Sequence, residues 1–547
     1  VASDETLKTT VDAPKSKSRV NFGSLFAQGL KAAGGSTSAA SGPKDPHNRD
    51  GKKRRIQDGP ETSMIGRGVR DPSEQYLSSP TNTPMVRTFR SFFSAHAPDL
   101  VGPVKVYVGP VGGWRTLAKL SVRQEATSRI EAKQTKYKQS KPSSPSPAGT
   151  TDLRIGLFAP GSHRVVEIPD SRAHAPSLNR ATKIVKASCA KARVRGYVTG
   201  SDERGGLGYL VLSEERATKR VQLTLVFCAE NENQVDQKRL KLLLRELEKA
   251  GEAEGGPEGD FLWHSIHVHC NPADRHDNSI LGREGTWRLA WPSTDAQRRD
   301  AIKGTKEALA LPDFAAAVGP YEPRLFFPPN VFRQANLDQF TEIVKVVRKF
   351  VPRGSKVVEL YGGVGTIGLH ISDLVSSLNC SDENPFNAAC FQEAAATLPP
   401  DLAAKLSYLT KGAAGMALDG AISPWEDRGG SSNGAEVVIV DPPRKGLDPE
   451  VLDALTATAV HTGQPSGGCS YPSRLIYISC GFKAFVRDAS RLLGLAVSPS
   501  SSRRGKKALG KKALSARVSK WRIVHAEGHV LFPGADHVET VAIFERV

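Results

Sequence analysis

The strongest constraint on the fold is a run of short apolar segments, each followed by a turn and a helix-like stretch, across the last 220 or so residues. Lys356-Val-Val-Glu-Leu360 runs into the Gly-rich turn Tyr361-Gly-Gly-Val-Gly365 and then into a helix. Val437-Val-Ile-Val440 and Leu475-Ile-Tyr-Ile478 are further runs of buried-strand character, and Leu337 to Phe350 has the apolar spacing of an amphipathic helix. Strands alternating with helices predict a doubly wound parallel sheet, whose ligands sit at the C-terminal ends of the strands. The expectation is a Rossmann-like α/β domain over residues 326–547.

Upstream the pattern is different. Val104–Val108, Trp114–Arg123, Leu153–Phe158, His163–Ile168, Val194–Val198, Tyr209–Leu212, Val221–Phe227 and Trp263–His269 read as short strands, with one helix predicted over Gln234–Ala250. Many strands with few helices suggest an antiparallel β-rich α+β domain over 96–325. Arg115, Lys119 and Arg123 are expected on its solvent face. The Pro/Ser tract over 133–151 reads as a flexible insertion within that domain. Residues 1–95 are rich in Ser, Gly, Pro, Lys and Asp with scattered apolar residues, and are expected to be a disordered tail.

The chain carries 75 Lys+Arg against 57 Asp+Glu, a formal charge of +18. That balance favours a polyanionic partner, nucleic acid before membrane surface. No apolar run is long enough to span a bilayer, so no membrane association is expected. The seven cysteines, 189, 228, 270, 380, 390, 469 and 480, lack a CxxC pair, which disfavours a metal or iron–sulfur site. A reducing, intracellular compartment is expected. The first residue is Val, and Lys52-Lys53-Arg54-Arg55 reads either as a nuclear signal or as solvated charge, so organelle and nucleus both stay open.

Five features carry chemistry. The Gly-rich turn lets a ligand approach the backbone, and suits a dinucleotide or S-adenosylmethionine alike. Asp382, sixteen residues after Thr366, is placed to receive ribose hydroxyls, with Glu383 as the alternative. Asp441-Pro-Pro-Arg-Lys-Gly446 follows a buried strand, and its two prolines stiffen the turn that leaves Asp441 at the sheet edge. Cys480 ends the strand Ile476–Ser479, with Lys483 and Arg487 nearby to favour a thiolate. Glu539, within His537-Val-Glu-Thr540, is flanked by apolar residues and reads either as a base or as a structural ion-pair partner.

Taken together, Phe332-Arg-Gln-Ala-Asn336, Leu360–Gly365, Val440–Gly446, Tyr477–Cys480 with Arg487-Asp488, and Phe532-Pro533 with His537–Glu539 occur in one order. This set resembles the RNA uracil-5 methyltransferase family, which is S-adenosylmethionine-dependent and of class I type, over about 220 residues. The resemblance implies Cys480 as nucleophile and Glu539 as proton acceptor. It also implies that Gln334, Tyr361, Thr366, Asp382 and Asp441 surround S-adenosylmethionine, with tRNA or rRNA as the partner and a monomeric enzyme. Two departures bear on substrate orientation. Gly481–Phe485 stands where the family has Asn-Pro, and Gly534-Ala-Asp536 stands where it has a Thr.

The chemistry accounts for the pairing of one cysteine with one base. Uracil C5 is too weak a nucleophile to attack a methyl sulfonium unaided, and addition of a thiolate at C6 makes it an enolate carbon. The region 498–520 carries eight Lys/Arg and no acid, and reads as a phosphate-gripping loop or a solvated one. Two other functions fit the same residues: an RNA cytosine-5 methyltransferase, which uses the same adduct logic, and a non-catalytic RNA-binding or chaperone relative.

Overall fold

The computed structural model describes residues 64–65, 69–98, 100, 102–124, 153–198, 204–253, 261–272, 280–281, 285–319, 321–422, 435–457, 472–495 and 521–547. The Pro/Ser tract 133–151, the basic stretch 498–520, Cys469 and most of the N-terminal tail lie outside them.

Two sheets organise these residues. The first is formed by β2 (Leu117–Gln124), β3 (Leu153–Phe158), β4 (Val165–Glu167), β5 (Gly206–Glu214), β6 (Val221–Cys228), β7 (Trp263–Asn271) and β8 (Thr286–Trp291). Its order is β8-β7-β6-β5-β2-β3-β4, antiparallel except for the parallel pair β6/β7. Helices α2 (Pro176–Lys191) and α3 (Gln237–Ala253) share its core. Thr305–Glu307 (β9) and Leu325–Phe327 (β10) then pair as a small ribbon.

The second sheet contains β11 (Ser355–Leu360), β12 (Val375–Asp382), β13 (Leu406–Thr410), β14 (Val437–Val440), β15 (Arg474–Ser479), β16 (Trp521–Val530) and β17 (Glu539–Arg546). With one more strand, β1 (Lys105–Val108), its order is β13-β12-β11-β14-β15-β17-β16-β1. The strands from β13 to β15 are parallel, and β17 returns antiparallel to β15 and β16. Alternate residues of each strand face opposite sides. Val357, Ile439, Ile476 and Ile543 share a core with Leu337, Phe340, Ile343, Val344 and Val347 of α4 (Leu337–Phe350). Val358, Val438, Tyr477 and Phe544 share another with α1 (Pro84–His96) and α8 (Phe482–Leu492), the latter following α5 (Thr366–Leu369), α6 (Pro385–Ala395) and α7 (Pro449–Thr456). Among the described residues, no helix is long and apolar enough to cross a membrane.

Three expectations are corrected. Pro84–His96, placed in a disordered tail, is a helix whose Phe89 and Phe93 rings lie 5.6 and 5.7 Å from those of Phe482 and Phe485. Its three phenylalanines are spaced so that one helical face can bury them, which gives this segment an apolar surface that the polar residues before it lack. Lys105–Val108, placed in the β-rich domain, instead pairs with β16 as an edge strand of the second sheet. Arg115 and Arg123, expected on a solvent face, are buried. Arg123 lies over Phe158, Tyr197 and Tyr209 at 4.8–5.1 Å and donates to the carbonyls of Val122 and Gly208. An aromatic surround and two acceptors compensate a guanidinium for lost hydration.

Arg333, in the segment between the two sheets, is bonded into the first of them. Its guanidinium pairs with Glu307 of β9, each side chain 2% exposed, and donates to Ser213 Oγ at 2.5 Å and the Glu214 carbonyl at 2.6 Å. Glu307 also accepts from Arg216 Nε at 2.7 Å. Three residues later Asn336 caps α4 by accepting from Gln339 N, and donates to the Leu531 carbonyl at 3.0 Å. Arg333→Ala strands a buried carboxylate and several acceptors, so we expect a loss of about 3–5 kcal/mol, read as a fall in the urea midpoint of unfolding.

Candidate active site

From β11 the chain moves to β12 and β13 on one side of the sheet and to β14 and β15 on the other. The crevice outside the C-terminal ends of β11 and β14 is therefore the topological switch point, where doubly wound sheets take their ligands.

The Gly-rich turn leaves β11 through three positive φ angles: Tyr361 at 60°, Gly363 at 57° and Gly365 at 80°. A side chain at Gly365 would meet the Phe391 ring at 2.3 Å. Tyr361 holds its unusual conformation with its hydroxyl, which donates to Asp448 Oδ2 at 3.1 Å and accepts from Asp448 N at 3.0 Å. Beneath the turn, Glu359 is fully buried and accepts from Gly368 N at 3.0 Å. Burial pushes its carboxyl up to about 8, so it sits there mainly in its neutral form.

Asp382 is the last residue of β12, and Glu383 is the first beyond it. The Asp382 carboxylate accepts from Gly363 N at 3.1 Å and from Asn384 N at 2.8 Å, which fastens it to the glycine turn. Thr366 opens α5 directly after that turn. Gln334 lies half-buried between the interdomain anchor Arg333 and the helix cap Asn336. Asp441 follows β14, with its carboxyl pushed up to about 7 by burial. Tyr361, Thr366, Asp382 and Asp441 thus lie along one edge of the sheet.

Cys480 lies on the same edge. β15 and β17 pair antiparallel with Ser479 opposite Thr540, so the register carried one residue further sets Cys480 opposite Glu539. The Cys480 thiol lies 3.9 Å from the Pro442 carbonyl. Burial pushes this thiol well above its ordinary range, and the carboxyls of Glu539 and Asp441 push it further, while Arg444 opposes them. Glu539 is itself raised by burial and by Asp441, again opposed by Arg444. Burial thus disfavours the ionised form of both groups.

The cation that acts on the thiol differs from the sequence expectation. Lys483 is exposed. Arg487 is committed to Asp488 and to the Lys445 carbonyl at 2.7 Å. Arg444, inside the Asp-Pro-Pro-Arg segment, is the cation felt by Cys480, Glu539 and His537. Its loop is fixed by buried Asp488, which accepts from Leu447 N at 2.8 Å and from the Tyr477 hydroxyl at 2.9 Å. The roles of Arg444, Asp488 and Glu359 went unread in the sequence, although each falls within a segment singled out there.

His537 adds a further constraint, because its Nε2 donates to the Cys480 carbonyl at 2.9 Å. Burial, followed by Arg444, lowers this imidazole to about 4, so it is neutral near pH 7. The loop that carries it is clamped from the N-terminal segment. Tyr76 N donates to the Gly534 carbonyl, and Met85 N in the first turn of α1 donates to Asp536 Oδ1, both at 2.8 Å. Gly534 has φ 99°, and a Cβ there would lie 2.1 Å from the Ser73 carbonyl. The departure Gly534-Ala-Asp536 therefore has a structural cause: one residue admits the segment and another caps its helix.

Two outcomes follow. Asp536→Ala removes an acceptor from the start of α1 and should cost about 1 kcal/mol, as helix-cap losses do, measurable by chemical denaturation. Alkylation of Cys480 by iodoacetamide, followed by mass spectrometry, should be slow at neutral pH. Because the raised thiol ionises only as pH climbs, its rate should keep rising beyond the ~8.5 midpoint of a free cysteine.

No family model matches the chain. An uncharacterized RNA methyltransferase of Protochlamydia amoebophila is 28% identical over 452 residues, covering 82% of this chain and 90% of that protein. A tRNA (uracil(54)-C(5))-methyltransferase of Pyrococcus horikoshii is 30% identical over 164 residues, 30% of this chain and 33% of that protein. Among solved structures, the tRNA (uracil-54, C5)-methyltransferase of Pyrococcus abyssi in complex with S-adenosyl-L-homocysteine superposes with a TM-score of 0.51 at 19% identity. That match covers 84% of this chain and 82% of the other. The chain therefore has the class I methyltransferase fold and is a homologue of RNA methyltransferases, tRNA uracil-C5 enzymes among them.

Proposed function

We propose that the protein is an S-adenosylmethionine-dependent RNA methyltransferase that forms 5-methyluridine through a Cys480 adduct. The observation that carries this reading is the meeting of Cys480 and Glu539 across β15 and β17, on the sheet edge that also holds the glycine turn and Asp441.

The switch-point crevice suits the cofactor. The turn places Gly363 where a Cβ would meet nothing within 4 Å, and Asp382 and Asp441 flank it from the neighbouring strands. Gln334, Tyr361, Thr366, Asp382 and Asp441 are the residues assigned to hold S-adenosylmethionine, which supplies the electrophilic methyl group. The remaining chemistry belongs to the chain. Cys480 gives its thiol proton to bulk water and, as the thiolate, bonds to uracil C6, and the displaced π electrons form an enolate that makes C5 nucleophilic. Once C5 carries the methyl group, Glu539 accepts the C5 proton. The electron pair from that C–H bond restores the C5–C6 double bond, and the Sγ–C6 bond breaks to return the thiolate. Arg444 acts on both Cys480 and Glu539 and favours the ionised forms that the reaction requires. The target base enters such a pocket by leaving its stack. tRNA or rRNA is the substrate class, and the enzyme acts as a monomer inside the cell.

The test is methyl transfer from labelled cofactor to total RNA, with the product nucleosides resolved by mass spectrometry. Wild-type protein should yield 5-methyluridine; 5-methylcytidine or an N-methyl product sinks the proposal. Cys480→Ala should give no product. Glu539→Gln should slow turnover by about 10²–10⁴-fold and leave RNA covalently bound to the protein, visible as a shifted band on a denaturing gel.

A further inference from the structure

Helix α3 of the first sheet's domain has two unlike faces. Leu240, Leu243, Leu247 and Gly251 are buried against the sheet. Lys238, Lys241, Arg245 and Lys249 are exposed and follow one another at spacings of three and four residues, which aligns them along one side of the helix. At 1.5 Å per residue this line is about 16 Å long.

These four cations make no hydrogen bond or ion pair with other described residues, whereas the lysines of the neighbouring helix do. Lys183, Lys186 and Lys191 of α2 pair with Asp170, Glu167 and Glu246 at 2.5, 2.5 and 3.0 Å. The acids near the line on α3 are engaged elsewhere: Glu246 takes Lys191, and Glu248 accepts from Trp291 Nε1 at 3.2 Å. Only Glu252, exposed at the end of the helix, follows Lys249. Arg193 extends the cationic surface, because its carbonyl accepts from Arg239 in the first turn of α3 at 2.8 Å and its own side chain is exposed. Like charges three and four residues apart on a helix repel by about 0.2–0.5 kcal/mol per pair. That repulsion is uncompensated in the free protein and is relieved when anions are laid along the helix.

We propose that this face of α3 grips the phosphate backbone of the substrate RNA, an inference that rests on the RNA methyltransferase reading above. The face bears a single exposed large apolar residue, Leu242, which suits a row of phosphates. A membrane-surface helix would instead carry a broad apolar face free to enter the lipid, and here the apolar face of α3 is already buried on the sheet.

The test uses the full chain with Lys238, Lys241, Arg245 and Lys249 all changed to alanine, the residue of highest helix propensity. Binding to unfractionated tRNA is followed by fluorescence anisotropy between about 50 and 300 mM salt, and methyl transfer is measured at saturating RNA. Four lost phosphate contacts should reduce the slope of log affinity against log salt by about 3, at ~0.7–0.9 per phosphate. The apparent KM for RNA should rise at least tenfold while kcat stays at the wild-type value. An unchanged slope and KM overturn the proposal, as does loss of binding to phosphatidylserine vesicles with RNA affinity intact. Methyl transfer by a variant with wild-type salt dependence overturns the α3 surface alone. An α3-dependent salt slope with no methyl transfer by the wild type overturns the enzymatic reading and leaves the surface standing.

Discussion

The buried pair between Arg333 and Glu307 is the interaction on which the rest of the arrangement depends. It joins the strand ribbon of the first domain to the segment that opens the second, in a place where neither side chain touches water. Such a pair contributes little net stability compared with apolar packing, but removal of one partner is costly because the other is left charged and dry. Its value is geometric. Arg333 finds acceptors in β5, in β9 and at Thr116 just before β2, while Val331, two residues before it, packs against the core of the second sheet. Gln334 is therefore held between Arg333 and Asn336, and Asn336 in turn ties the start of α4 to the loop of His537.

The sheet edge at Cys480 gathers carboxyl groups in an unusual density. Glu359, Asp441 and Glu539 are all raised by burial, and Cys480 is raised with them. Burial there favours the neutral forms of these acids and of the thiol. Arg444 is the counterweight, and its position rests on the two prolines before it and on Asp488 behind it. A bound cationic sulfonium in this crevice would act in the same direction as Arg444, favouring ionised carboxylates and thiolate over their neutral forms.

Much of the second domain was legible in the residues. Val437–Val440 is buried on both faces, so it reads as a continuous apolar run, and the glycine turn announces its positive φ angles through composition alone. The amphipathic stripe of α4 matches its observed limits. The N-terminal helix was not legible, because three phenylalanines inside a polar stretch acquire meaning only when Phe482 and Phe485 are opposite them. The edge strand Lys105–Val108 looked like part of the domain next to it in sequence, since a strand's alternation gives its faces but not its partner.

The sequence by itself determined the succession of buried strands, the stiff and flexible turns between them, and which residues stand at strand ends. These are local properties, set by side-chain periodicity and by the torsional limits of Gly and Pro. Tertiary structure alone decided which cation faces Cys480, what clamps the loop of His537, and which carboxyl lies across from the thiol. Lys483 and Arg487 are near Cys480 along the chain, yet α8 turns one to solvent and commits the other, while Arg444 arrives from the turn after β14. Electrostatic influence follows distance through space, and that distance is fixed by strand register and loop packing rather than by separation in sequence.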